Sequence, residues 1–245
     1  MDFKFPTEIV TLPSKGKFYP KDSPLAKGEI EMKYMTAKEE DILTNVNYLE
    51  NGTVIDKLLE SLIITEGVNL DELLVFDKDA LLVGARILGY GKTYEVEYNG
   101  EKHNIDLTAL EEKPLHPDFE NALENKFYLK LPKSKLTIGF KLLNGLDLKK
   151  INQEIEALQK VNPENFSESV ITFRNQILSV DGDETTKTIA QFTEDYFFSE
   201  DTRAFRKYLQ ELQPGLDLRF YPDKGPKEGV RIPIGIRFFW PDAEL

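Results

Sequence analysis

The side chains that could carry out acid–base or metal chemistry are few and stand far apart in the sequence. The 245 residues include two histidines, His103 and His116, and no cysteine. A zinc site takes about four well-placed ligands, so carboxylates would have to complete any set built on these histidines. Neither histidine accompanies a Gly-x-Ser-x-Gly turn of the kind that Ser/His/Asp hydrolases use. We therefore interpret both as isolated surface histidines.

Clustered carboxylates are also better explained without catalysis. Asp181, Asp183 and Glu184 stand within four residues, but the further acidic positions and the distal Glu of a calcium loop are missing. The cluster is typical of an acidic turn that supplies negative charge to the start of a helix. Gly89-Tyr-Gly91 is too short for a dinucleotide fingerprint and precedes a strand. The sequence therefore predicts no catalytic residue, no cofactor, no metal and no enzyme.

Net charge and hydropathy limit the classes of partner. Lys and Arg number 31 against 43 Asp and Glu, which gives a net charge of −12. A chain this acidic repels phosphate backbones, so we expect no nucleic-acid partner. No apolar run approaches the roughly 18 residues of a membrane span, so we expect no membrane partner. The first six residues lack the apolar core of a secretory signal, and the absence of cysteine fits the cytoplasm.

Alternating strands and amphipathic helices predict an α+β protein with two tandem units. Each unit consists of short strands, helices and a terminal β-hairpin. An extended N-terminal arm (1–28) precedes the first unit (29–110), and a linker (111–125) joins that unit to the second (126–245). The arm is rich in proline and glycine but also holds Leu12, Phe18, Tyr19 and other apolar residues. Because a disordered tail would be poorer in these, the arm is expected to dock on its own body or on a partner.

Local signals place the elements within the units. In the first, Thr36 and Glu39 have the spacing of a capping box, and Asn99-Gly100 is typical of a β-hairpin turn. A buried helical stripe begins at Val54. In the second, the expected elements are strands at 127–131 and 136–140, helices near 146–161, 167–180 and 185–197, and a closing hairpin of 216–221 with 230–238. Pro233 should place the last strand at an edge or a bulge.

One arrangement occurs in both units. Asp79 and Asp201 are each expected to open a helix as its N-cap, and each helix runs into a glycine and then an alternating strand. The two Asp residues are 122 positions apart (201 − 79), whereas the glycines, Gly91 and Gly215, are 124 apart (215 − 91). We interpret this as one supersecondary plan used twice with loops of different length.

Three adjacent aromatic residues, Phe238, Phe239 and Trp240, stand near the C-terminus. In a strand, alternate side chains point to opposite faces, so the three cannot all face one core. Either the protein covers both faces, or one face is left for a partner, and exposed aromatic residues are frequent interface hot spots.

The chain resembles the family of T-even-type phage baseplate hub and hub-assembly proteins of contractile tails. The resemblance is carried by Leu12–Pro20, Met35–Leu43, Phe76–Leu82, Arg86–Gly91 with Tyr94, and the closing Phe-Phe-Trp-Pro. It implies a structural or assembly role through contacts with other hub and tail proteins, first in the host cytoplasm and then in the virion. Leu12, Phe18, Tyr19, Phe238, Phe239 and Trp240 are the expected partner-binding residues, and an oligomer within the particle is compatible with this role.

Several alternatives stay open at this point. The protein could be a transient hub-assembly chaperone that is absent from the finished particle. In a different class, a nucleic-acid-associated neck or packaging factor would need salt-dependent DNA binding despite the acidic charge. A cell-wall glycan hydrolase ranks last, because no pair of acidic residues in a defined cleft is indicated.

The chain departs from the family pattern at the hairpin tips. In several relatives the tip after the Tyr-rich strand carries Cys-x-x-Cys-like pairs, as in a zinc ribbon, whereas this chain has Tyr98–His103 there; its second tip, Asp223–Gly229, has no cysteine either. The resemblance therefore implies zinc-ribbon-like hairpins that are free of metal.

Overall fold

The first half of the chain folds as a small sheet, a group of helices and a hairpin. In a computed structural model, the described residues are 6–161, 166–223 and 225–239. The elements of this half are, in order, β1 (Thr7–Thr11), β2 (Glu29–Lys33), α1 (Ala37–Leu43), α2 (Val46–Glu50), α3 (Val54–Leu62), α4 (Val75–Tyr90), β3 (Thr93–Tyr98) and β4 (Glu101–Asp106). Strands β1 and β2 are antiparallel, and a bridge between Met32 and Ile63 continues the pairing on the other side of β2.

The local signals of this half are confirmed. The capping box joins Thr36 to Glu39 at the start of α1. Helix α3 buries its apolar stripe, which consists of Val54, Leu58, Leu59 and Leu62. At the turn between β3 and β4, Asn99 and Gly100 have φ values of 52° and 78°. Because the right-handed twist of a hairpin favours turns with positive φ, this pair fixes the register in which Tyr98 faces Glu101.

Like the first half, the second half contains two paired strands followed by helices and a hairpin, but it has a further strand among its helices. Its elements are α5 (Pro117–Asn121), β5 (Phe127–Lys130), β6 (Thr137–Phe140), α6 (Gly145–Val161), α7 (Glu168–Gln176), β7 (Ile177–Val180), α8 (Thr186–Gln191), α9 (Ser199–Leu212), β8 (Arg219–Phe220), β9 (Val230–Arg231) and α10 (Ile236–Phe239). Strands β5, β6 and β7 form an antiparallel sheet in that order. A π-helical turn, Phe192–Tyr196, follows α8 directly.

Two of the expected elements are wrong. The helix predicted over 167–180 ends at Gln176, because Ile177 turns extended and β7 pairs with β6, with Val180 opposite Ile138. The strand predicted over 230–238 stops after Arg231 and is followed by α10. Pro233 has no N–H to donate, which explains why the ladder does not continue through it.

The described residues form two compact units in space. The first is made of the described residues within 1–70, 76–113 and 215–245, and the second of those within 71–75 and 114–214. The C-terminal hairpin, β8 with β9, thus belongs to the first unit, where Leu216 bridges Glu112. Each unit is therefore built from segments that are separated in the sequence, whereas the predicted domains are consecutive ranges. The consecutive ranges stay a prediction.

The repeated plan is present, but its register differs from the expected one. Helices α4 and α9 begin at Val75 and Ser199, so Asp79 and Asp201 are interior residues and not N-caps. The residue equivalent to Asp201 is Asp77, 124 positions earlier (201 − 77), which is also the spacing of the two glycines. Both carboxylates are fully buried in the first turn of their helix.

Each of these carboxylates holds the backbone of a Leu-Pro turn in its own unit. Asp201 accepts hydrogen bonds from the backbone N–H groups of Lys133 at 2.6 Å and Ser134 at 3.0 Å. These residues follow Leu131-Pro132, as Ser14 follows Leu12-Pro13, and Asp77 accepts from the N–H of Ser14 at 2.8 Å. An anionic side chain near a helix N-terminus is favoured by the helix dipole. In both units, therefore, a buried carboxylate in the first turn of a helix binds the backbone of the turn that follows Leu-Pro.

Candidate docking surfaces

The N-terminal arm docks on its own body. Asp77 accepts from Ser14 and also from the hydroxyl of Tyr19, at 2.5 Å, which joins the arm to the first turn of α4. Burial raises the pKa of Asp77, and the hydrogen bonds from Ser14 and Tyr19 oppose that rise. These two hydrogen bonds replace part of the hydration that the Asp77 carboxylate loses when it is buried.

The arm has a fixed shape after β1. Gly16 and Gly28 have φ values of 79° and 71°, and the turns around them approach closely. A Cβ atom on Gly16 would lie 2.2 Å from the carbonyl oxygen of Ala26, and one on Gly28 would lie 2.7 Å from the carbonyl carbon of Lys15. Only glycine fits such contacts, so the crossing of the two turns fixes the path of the arm.

The expected partner-binding residues of the arm differ in exposure. Leu12 is fully buried and belongs to the core. Phe18 and Tyr19 are half-buried, and the ammonium of Lys17 lies 5.7 Å from the centre of the Phe18 ring. Phe18 has a φ of 72°, which is uncommon for a residue with a large side chain. Contact of these residues with a partner stays a prediction.

The C-terminal aromatic residues lie inside the first unit. Phe238 and Phe239 are 1% and 0% exposed, and the Phe238 ring packs edge-on against Tyr94 of β3 at 4.9 Å. Helix α10 places both rings inside, which the alternation of a strand would not do. Trp240 lies outside the described residues. A partner-binding role for the three aromatic residues stays a prediction, and it would require the two buried rings to become uncovered.

Arg86 is a buried cation that the sequence did not reveal. Its side chain is buried in α4 and donates to the carbonyl oxygens of Gly91 at 3.1 Å and Thr93 at 3.2 Å. The rings of Tyr90 and Tyr94 lie 5.1 Å and 5.7 Å from its guanidinium carbon. Burial lowers the pKa of Arg86. Because it binds the carbonyls of the turn between α4 and β3, Arg86 positions the first hairpin on its helix.

The histidines and the acidic turn have structural surroundings. Nδ1 of His116 accepts the backbone N–H of Asp118 at 3.2 Å at the start of α5, and His103 lies half-buried on β4. The carboxylate of Asp183 accepts from Thr185 and Thr188 at the start of α8, and these hydrogen bonds lower its pKa. Among the described residues, no three His, Asp or Glu side chains cluster in a way that could hold a metal ion.

An exposed aromatic segment leads from the π-helical turn after α8 into the first residues of α9 in the second unit. We call residues 194–200 the aromatic turn. Tyr196 and Phe198 are 50% and 43% exposed, and Glu194, Asp195 and Glu200 are exposed beside them. The sequence predicted an ordinary helix over most of this segment and gave no signal for the turn.

A cleft lies between the two hairpin tips of the first unit. Its volume is about 390 Å³, and its lining residues are Tyr98, Asn99, Glu101, His103, Tyr221, Pro222 and Asp223. The rings of Tyr98 and His103 also contact Phe220 of β8, with centroids at 6.2 Å and 5.4 Å. The cleft is therefore a consequence of the two hairpins packing through their aromatic residues.

The described residues thus define a small α+β protein in which buried carboxylates fasten turns to helices. The chain belongs to the family of the T4 bacteriophage base plate protein, whose sequence model matches residues 5–211. The match includes the arm and most of both units, so the baseplate resemblance seen in the sequence is confirmed. No curated protein and no solved structure matches the chain. None of the helices in the described ranges has the length and apolarity that a bilayer crossing requires.

Proposed function

We propose that the protein is a structural or assembly component of the hub of a contractile-tail baseplate and acts through protein–protein contacts. The family match over residues 5–211 is the observation that carries this proposal. Family membership makes other tail proteins the natural partners and the virion tail the natural location. The hub position and the contact mechanism are the further steps proposed.

The hydrogen bonds of the buried charged groups support a structural role for the protein. Glu39, Asp77 and Asp201 are fully buried, and each accepts hydrogen bonds from the backbone or side chains of its own unit. A general acid or base needs access to a substrate, and these carboxylates have none. Their role is to fix turns and helices, which gives rigid surfaces for docking.

Affinity capture tests the proposal. The chain, tagged at a terminus, is expressed during infection, chemically cross-linked and purified, and the captured proteins and cross-linked residues are identified by mass spectrometry. Hub and baseplate proteins joined to exposed residues of this chain are the expected result. Capture of DNA-packaging proteins alone, or of the bait alone, would contradict it.

Mass spectrometry of purified particles then separates the two forms of the proposal. A structural component is present at a fixed ratio to other hub proteins. A chaperone that leaves before completion is found in assembly intermediates and is missing from finished particles. Either result supports action at the hub, and only absence from both would exclude it.

The arm needs a finer test than removal of residues 1–28. Deletion would remove β1 together with the buried side chains of Leu12 and Leu25, so a defect in tails could reflect loss of the fold. Phe18→Ser changes a half-buried ring and leaves the Asp77 contacts in place. If the arm docks on a neighbour, this variant stays folded and enters tails at a reduced level; normal incorporation would exclude Phe18 from the contact.

A further inference from the structure

The aromatic turn combines exposed rings with negative charge. Its seven residues include Glu194, Asp195 and Glu200 and no Lys or Arg. Glu194 accepts from Arg174 at 3.2 Å. Within the described part of the chain, Asp195 and Glu200 have no ion-pair or hydrogen-bond partner for their carboxylates. Two carboxylates and two rings, Tyr196 and Phe198, therefore face solvent together.

The rings are held by a rigid base. Between them, Phe197 points inward and packs against Phe173, Phe192 and Phe205, with ring centroids at 5.1, 5.0 and 5.9 Å. Phe192 and Phe205 are buried at 3% and 0% exposure. The turn also closes on itself, because the N–H of Phe198 donates to the carbonyl oxygen of Tyr196 at 3.0 Å. A segment fixed in this way loses little conformational freedom when it binds, which favours its use as a docking surface.

The chemistry of the aromatic turn selects a basic partner. Aromatic faces attract guanidinium and ammonium groups, and carboxylates form charge-assisted hydrogen bonds with the same groups. An acidic partner would be repelled by the turn and by the net charge of −12. We propose that the aromatic turn docks a neighbouring baseplate protein that presents Arg or Lys side chains. This inference rests on the proposed function and adds the surface and the charge of the partner.

Three variants test the docking surface. Tyr196→Ser with Phe198→Ser removes the exposed rings, and Asp195→Asn with Glu200→Gln removes the unpaired charge. The matched control, Tyr128→Ser with Leu146→Ser, removes two apolar side chains of 59% and 46% exposure elsewhere in the same unit. Circular dichroism and thermal unfolding first establish that all three variants stay folded.

The probes are the recombinant baseplate proteins that the wild-type chain captures, each titrated against the wild-type chain and the variants at two salt concentrations. One of them is expected to bind at least tenfold more weakly to the ring variant and normally to the control. Its binding to the wild-type chain should weaken with salt, and the charge variant should show a smaller salt dependence.

Other results would overturn the proposal in distinguishable ways. Wild-type affinity of the ring variant for every captured baseplate protein would exclude the aromatic turn and leave the proposed function intact. A loss of binding in the ring variant without any salt dependence would exclude a basic partner. If the wild-type chain captures no baseplate protein at all, the proposed function fails and this inference fails with it.

Discussion

Replacing Glu39 by Gln should destabilise the first unit, because this carboxylate is fully buried and satisfies four hydrogen-bond donors. Oε1 accepts from Lys33 Nζ at 2.7 Å and Ser61 Oγ at 2.6 Å, and Oε2 accepts from the N–H and hydroxyl of Thr36 at 2.9 Å and 2.7 Å. A glutamine has one oxygen and one NH₂ group at these positions. The two donors that bind the NH₂ position would therefore face a donor, and the ion pair between Lys33 and Glu39 would be lost.

The pKa of Glu39 gives the size of the expected loss in unfolding free energy. Burial by itself raises this pKa, but the hydrogen bonds from Lys33, Ser61 and Thr36 outweigh burial and lower it from 4.5 to about 2. At about 1.4 kcal/mol for each tenfold change, the fold prefers the ionised carboxylate by about 3 kcal/mol. This value is consistent with the roughly 3–5 kcal/mol lost when one partner of a buried ion pair is removed.

Urea denaturation followed by circular dichroism at pH 7 and pH 3 measures the effect. The folded-state pKa is depressed, so its contribution is present above the unfolded-state pKa and disappears as pH falls from about 4.5 towards 2. Glu39→Gln should therefore lower the unfolding free energy by about 3 kcal/mol at pH 7 and by less at pH 3. Glu60→Gln, which breaks the exposed pair with Lys57, should change it by less than about 1 kcal/mol. Equal effects of Glu39→Gln at both pH values, or a loss no larger than that of the control, would refute the reasoning.

Three further substitutions test the contacts that fasten the turns. Gly28→Ala should lower the unfolding free energy by more than about 2 kcal/mol, because its Cβ would meet backbone at 2.7 Å, whereas Gly52→Ala, with nothing within 4 Å, should lose about 1 kcal/mol. Tyr19→Phe removes a donor to Asp77 and should lose about 1–3 kcal/mol in urea denaturation. Because burial already raises the pKa of Asp77, and loss of the donor raises it further, this loss should be larger at pH 7 than at pH 4. Asp201→Asn leaves one oxygen for two backbone donors and should lose about 1–3 kcal/mol in the same assay, with a negligible loss contradicting the role given to this carboxylate.

The features that the sequence predicted well are those set by neighbouring residues. The capping box at Thr36, the Asn99-Gly100 turn and the buried stripe of α3 depend on short spacings, and the structure confirms all three. The α+β class followed from the same local patterns. Such features need no knowledge of what packs against them.

The features that the sequence mispredicted depend on distant partners. Asp79 has the local signature of an N-cap, but α4 starts earlier, at Val75, whose N–H donates to the carbonyl oxygen of Leu143. The local pattern of residues 177–180 predicts a helix, but these residues form a strand because they pair with β6. The aromatic turn depends on Phe197 joining a cluster of rings, a contact that no local pattern encodes. Tertiary contacts decided each of these cases.

The interleaving of the two units has a consequence for how the chain is made. A ribosome delivers residues in order, and all of 71–75 and 114–214 are available before the last segment of the first unit has emerged. The second unit can therefore complete its core during translation, while the first still lacks Phe238 and Phe239 and exposes the surface that they will cover. The second unit can thus fold before the first, although most of the first unit is synthesised earlier. Premature termination after residue 214 should therefore yield a folded second unit joined to a first unit that lacks part of its core.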